Sequence, residues 1–98
     1  MQCYLHMIIS ARSAQKVIFS TCRRLKIGDG VRVESYKRDR FIEIYLINND
    51  KYKVIENGYS KRELTISGQE LKDFLKDILS IEFPRSHVLY LSEIHSII

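Results

Sequence analysis

The 98 residues include no tryptophan, one proline, four glycines and two cysteines. Each scarcity excludes something. With Pro84 the single proline, long stretches are free to form continuous helices and strands. So few glycines rule out a collagen-like repeat or a flexible low-complexity chain. Cys3 and Cys22 form no Cys-x-x-Cys pair, and two cysteines are too few for a secreted disulfide scaffold, so buried, reduced thiols are expected. No apolar run approaches the ~20 residues of a membrane span. The stretch from Met1 to Ser10 lacks the charged start and small-residue cleavage site of a signal peptide, so the expected location is cytoplasmic, away from any membrane. Catalytic motifs are missing too: no Walker loop, dinucleotide glycine motif, His-Glu-x-x-His or Gly-x-Ser-x-Gly elbow. Two loose ligand groups, Asp39 with Glu43 and Asp50, and Cys3 with His6 and Cys22, have none of the close spacing of real metal sites. The expectation is a protein without catalytic activity, cofactor or metal.

What is present is a globular composition, 45% apolar and 29% charged, on a chain short enough for one domain. Its formal charge of +4 is unevenly spread. Residues 11–40 hold nine bases (Arg12, Lys16, Arg23, Arg24, Lys26, Arg32, Lys37, Arg38 and Arg40) against three acids (Asp29, Glu34 and Asp39). An electrostatic face of this kind attracts phosphates or an acidic protein.

The periodicities predict strand, helix, four strands, helix, strand. Residues 2–9 form a short apolar run that reads as a strand covered on both faces. Ala14, Val17, Ile18, Thr21, Cys22 and Leu25 recur at helical spacing within 13–25. Residues 31–37, 41–47, 52–55 and 63–66 read as strands, separated by turn signals at Lys26–Gly30, Asn48–Asp50 and Asn57-Gly58. Ser67-Gly-Gln-Glu70 is a capping box, followed by an apolar stripe of Leu71, Phe74, Leu75, Ile78 and Leu79 that Pro84 terminates. Residues 88–91 form the last strand. Two amphipathic helices on one face of a largely antiparallel sheet of five or six strands, an α+β domain, is the economical arrangement, and the element order suggests a decorated ferredoxin-like fold with the first and last strands central.

Two surfaces are candidates for binding nucleic acid. On the first helix Arg12, Lys16, Phe19 and Arg23 share a wedge opposite the apolar stripe, with Arg24 beside it: cations to release counterions and a ring to stack a base. On the sheet, if Ile42, Ile44 and Leu46 face the helices, Phe41, Glu43 and Tyr45 face away, and Arg32, Tyr36, Arg38 and Arg40 add to that side, with Lys51 and Lys53 if their register agrees. The loops Tyr59–Arg62 and Pro84–His87 carry further bases and hydroxyls able to contact phosphates.

The stretch Glu70-Leu-Lys-Asp-Phe-Leu-Lys-Asp-Ile-Leu with Glu82-Phe-Pro-Arg-Ser-His87 resembles the helix-to-strand end of small archaeal proteins similar to the ThermoDBP-like single-strand DNA-binding proteins. The resemblance covers about a fifth of the chain and implies single-strand DNA binding without assigning a binding residue. The richness in Lys, Ile, Tyr and Glu suits a thermophilic archaeon or one of its viruses. The leading expectation is a small, non-enzymatic, largely sequence-independent nucleic-acid-binding protein. The alternative is a protein-interaction module, a homodimer or accessory subunit, using Phe19 and the apolar end Ile94, Ile97 and Ile98.

Overall fold

The computed structural model describes residues 2–96, with side chains from Met7 to His95. Its elements run β1 (Gln2–Ser10), α1 (Ala14–Arg23), β2 (Gly30–Ser35), β3 (Phe41–Asn48), β4 (Lys51–Asn57), β5 (Lys61–Ser67), α2 (Leu71–Glu82) and β6 (Val88–Ser96). All six strands join one open antiparallel sheet in the order β1-β6-β2-β3-β4-β5, and the architecture is α+β as the periodicities require.

Alternation along each strand separates two sheet faces. Val31, Val33, Ile42, Ile44, Leu46, Val54, Leu89 and Leu91 form the inner face, packed against Ile18 and Cys22 of α1 and Leu71, Leu75 and Ile78 of α2 in one core. The Gln15 side-chain amide donates to the Lys72 carbonyl at 3.0 Å and ties the two helices together. The Tyr52 hydroxyl donates to the Cys22 carbonyl at 3.1 Å, so the one polar tip of this part of the core is satisfied. Burial pushes the Cys22 thiol up to about 12, which leaves it protonated and unreactive.

The capping box forms as written in the sequence. The Ser67 amide donates to Glu70 Oε1 at 2.9 Å, and the Glu70 amide donates to the Ser67 hydroxyl at 3.3 Å. At the other end the Phe83 amide bonds the Leu79 carbonyl before Pro84 ends the helix.

Two expectations are corrected. The first strand is not central: β1 lies at the sheet edge, with Met7 50% and Ile8 64% exposed. The last strand, β6, is interior as expected: its nine residues pair with β1 and six of them also pair with β2, so the connection through α2 returns past three strands. The apolar end does not leave Ile94 available to a partner: β6 extends to Ser96 and buries it. Ile97 and Ile98 lie outside the described residues.

Leu75→Ala, at a fully buried position, is expected to cost about 2–5 kcal/mol in urea unfolding, whereas Ile81→Ala, at an exposed one, stays within about 0.5 kcal/mol of the parent.

Candidate nucleic-acid interface

The basic positions separate according to the direction of each element. α1 runs from the end of the sheet where β1 stops to the end where β2 starts, so Arg12 and Arg23 lie at opposite ends of the molecule. The end holding Arg12 also holds the β2–β3 hairpin, the β4–β5 turn and the α2–β6 loop. It is joined to β1 by the Ala11 amide, which donates to the His87 carbonyl at 2.8 Å. Lys37, Arg38, Arg40, Lys61, Arg85 and His87 all occupy these connections or the strand ends beside them.

The hairpin is built around Ser35. Its amide donates to the Arg40 carbonyl at 3.0 Å, and the Arg38 amide donates to the Ser35 carbonyl at 2.8 Å. The Ser35 hydroxyl donates to Asp39 Oδ1 at 2.7 Å and accepts from the Arg40 amide. That hydrogen bond is the main reason the Asp39 carboxyl is held below its ordinary range. Closing the loop places Arg38 at φ +60°, a left-handed conformation that costs a non-glycine residue ~1–2 kcal/mol. From this strained position the Arg38 guanidinium lies over the Tyr90 ring, 4.5 Å from its centroid. Tyr36, 65% exposed, stacks on the same Tyr90 at 6.0 Å between centroids and 17° between planes.

Beside this stack is a cleft of about 520 Å³ lined by Tyr36, Lys37, Arg40, Arg85, Ser86 and His87, together with Ser35, Asp39 and Val88. Arg40 is anchored rather than free. Its Nε donates to the Glu82 carbonyl at 2.9 Å, and its guanidinium covers the Tyr59 ring at 4.8 Å.

Beneath Arg40 lies a buried carboxylate pair. Glu82, the last residue of α2, is fully buried, and its carboxylate accepts from the Tyr59 and Ser60 amides at 2.8 and 3.2 Å. Gly58 is required here, because a Cβ would come within 2.0 Å of Glu82 Oε1. Glu56, 2% exposed, hydrogen-bonds Glu82 and also takes the Arg62 guanidinium. Burial and the bond to Glu82 raise the Glu56 carboxyl above its ordinary value. Burial also pushes Glu82 up, but the bonds from Glu56 and from the Tyr59 and Ser60 amides outweigh it, and Glu82 is held low. Of the two carboxyls, Glu56 is therefore the one that takes up a proton first as pH falls.

Other expected site residues lie elsewhere. The inner-face assignment of Ile42, Ile44 and Leu46 holds, and Arg32 and Tyr45 do face outward, but both are engaged in mid-sheet. Arg32 pairs with Glu43 at 2.6 Å and Glu34 at 3.5 Å while covering Phe41 at 3.7 Å. The Tyr45 hydroxyl donates to Glu43, and its ring lies over Gly30, where a Cβ would meet it at 2.5 Å. Lys53 pairs with Glu63 at 2.8 Å. Phe19 is half-buried and packs against the core, with the Arg23 guanidinium 5.7 Å from its ring, so it offers no free stacking plane. Lys16 and Arg24 flank a separate cleft between α1 and the β1–β6 edge. Asp39 and Asp50 lie at opposite ends of β3 and do not gather with Glu43; Cys3 and His6 have side chains outside the described residues. Of the expected residues, the structure brings together Tyr36, Arg38 and Arg40, with Arg12 nearby beside the α2–β6 loop. Sequence reasoning missed Tyr90. Its position between Leu89 and Leu91, two inner-face residues, is the alternation signal that would have placed it outward.

No family model matches the sequence, and no curated protein does. Among solved structures the fold is similar to that of the Pseudomonas avirulence protein AvrPphB, with a TM-score of 0.64 and 7% identity over 98% of this chain and 52% of that one. The chain spans about half the length of that protein, and at this identity the likeness shows the fold alone.

The opposite shifts of the two carboxyls make stability depend on pH in a defined direction. Glu82 stabilises the fold above the ordinary Glu value of 4.5, and that contribution is lost as pH falls through its lowered folded value. Glu56 contributes below 4.5, and its contribution is lost as pH rises through its raised folded value. Glu56→Gln, a permanent donor to Glu82, is expected to become more stable relative to the parent as pH rises above 4.5, by on the order of 1 kcal/mol, in urea unfolding measured over that range.

Proposed function

We propose that this chain is a small, cytoplasmic, non-enzymatic protein that binds single-stranded nucleic acid at the hairpin end of its sheet, with little regard to sequence. The observation that carries this reading is the Tyr36–Tyr90 stack with Arg38 over Tyr90, beside a cleft rich in cations. Stacking on an exposed ring is sequence-tolerant because every base has a π-face, and it requires unpaired bases, hence the preference for single strands. Arg38 and Lys61 supply phosphate contacts around the ring, and Arg12 extends the basic surface toward α1. The strain at Arg38 supports the reading as well. Glycine would fit this backbone better, and a costly arginine in its place is of the kind found where a side chain serves binding. Among the described residues no helix is long and apolar enough to cross a membrane.

A second reading, self-association, is favoured by one observation: β1 is an edge strand without a charged Lys, Arg, Asp or Glu, and it exposes Met7 and Ile8. The opposite edge, β5, is guarded by Lys61, Arg62 and Glu63, the usual protection against strand addition. Phe19 and Ile94 do not serve this reading, since one packs against the core and the other is buried. A monomer by sedimentation at all accessible concentrations removes it.

Fluorescence anisotropy with labelled single- and double-stranded oligonucleotides tests the first reading. Single strands are expected to bind more tightly, with affinity falling log-linearly with salt. Tyr36→Ala is expected to weaken binding by about 1–3 kcal/mol. Arg38→Gly is expected to weaken binding while raising folding stability by up to about 1 kcal/mol through relief of the left-handed strain. Arg23→Gln, at the far end of α1, is expected to change affinity little. No binding of any strand at low salt overturns the reading.

A further inference from the structure

We infer that the cleft between the β2–β3 hairpin and the α2–β6 loop is a subsite for a phosphate monoester, the terminal phosphate of a nucleotide or of a strand. This deepens the proposed function and rests on it only for the strand; the cleft itself is argued from its own geometry.

The cleft is concave and of nucleotide size, about 520 Å³, within the ~300–1,000 Å³ of ordinary small-molecule sites. Lys37, Arg40, Arg85 and His87 converge on it with the Ser86 hydroxyl, and Tyr36 forms one wall. Lys37 and Arg85 make no ion pair within 4.0 Å among the described residues, and Lys37 acts on Asp39 only through its charge, as the last of five influences on that carboxyl. Asp39 is the one carboxylate lining the cleft. It accepts the Ser35 hydroxyl at 2.7 Å and stands 3.7 Å from Arg40 Nη1, too far for a short charge-assisted bond. A second, adjoining depression lined by Arg40, Tyr59, Pro84 and Arg85 shares both arginines, so they stand together on the ridge between the two.

This donor set is richer than a phosphodiester can use. An internal phosphate of a strand carries one charge and two free oxygens, and an exposed cation such as Arg38 or Lys61 is enough to track it. A terminal monoester carries close to two charges near neutral pH and three free oxygens, each a strong acceptor. Two guanidinium forks, an ammonium, an imidazole and a hydroxyl in one recess match that acceptor count. Arg40 is held in place from behind, since its Nε is committed to the Glu82 carbonyl and its plane lies against Tyr59. Part of the ordering cost of binding is thereby met in the free protein. Tyr36 joins the two surfaces: it walls the cleft and also stacks on Tyr90, so a nucleotide whose phosphate enters the cleft has a ring for its base at the cleft mouth.

The test compares one short oligonucleotide with a terminal phosphate and with a terminal hydroxyl, by anisotropy, together with adenosine monophosphate and adenosine followed by amide chemical shifts. The expected result is about tenfold tighter binding of the phosphorylated end, the equivalent of one additional charge-assisted hydrogen bond. Adenosine monophosphate, and not adenosine, is expected to shift the amides of Lys37, Arg85 and Ser86. In Lys37→Gln with Arg85→Gln, both exposed and outside the core, the end preference disappears while hydroxyl-ended strands lose far less. Shifts with the monophosphate but no oligonucleotide binding uphold the subsite for a free nucleotide and overturn strand binding. Oligonucleotide binding with no end preference and no monophosphate shifts overturns the subsite and leaves strand binding standing. An end preference that survives the double substitution also overturns the placement in this cleft.

Discussion

Glu82 is a carboxylate where elementary physics disfavours one: at the C-terminus of a helix, whose dipole repels anions, and with no exposure to water. It is stable there because every acceptor is met. Two amides of the β4–β5 turn donate to it, the Glu56 side chain hydrogen-bonds it, and Arg40 Nε donates to its backbone carbonyl. Through this one side chain the end of α2, the β4–β5 turn and the β2–β3 hairpin are held in register. Removing the carboxylate leaves two buried amides without a partner, and adding a side chain at Gly58 leaves it no room.

The cationic end of the molecule is a consequence of that tie. Arg40 could not stand between the cleft and Tyr59 without the Glu82 carbonyl to receive its Nε, and the α2–β6 loop carrying Arg85 and His87 starts one residue beyond Glu82. Two buried acids thus organise a surface on which cations prevail.

Most of the local structure was legible because its causes are local. The capping box is a four-residue pattern and forms with both of its bonds. The alternation of Ile42, Ile44 and Leu46 assigned the faces of β3 because side chains alternate at period two in any sheet. The position of β1 was not legible, since an apolar run reads the same whether a strand has neighbours on two sides or on one. Phe19 was misplaced for a related reason. Helical spacing gives its angle around α1, but not how far the sheet and α2 reach around that helix.

Residue types and periods by themselves determined the two amphipathic helices, the antiparallel α+β class, the turn positions and the concentration of bases in residues 11–40, because each depends on near neighbours in the chain or on composition. Tertiary structure alone decided which of those bases share a surface. α1 carries Arg23 and Arg24 away from Arg12, carboxylates on β2 and β3 engage Arg32, and the return of β6 beside β2 brings Tyr90 under Tyr36 and Arg38. Residues some fifty positions apart in the chain meet there, and no local period encodes a meeting at that separation.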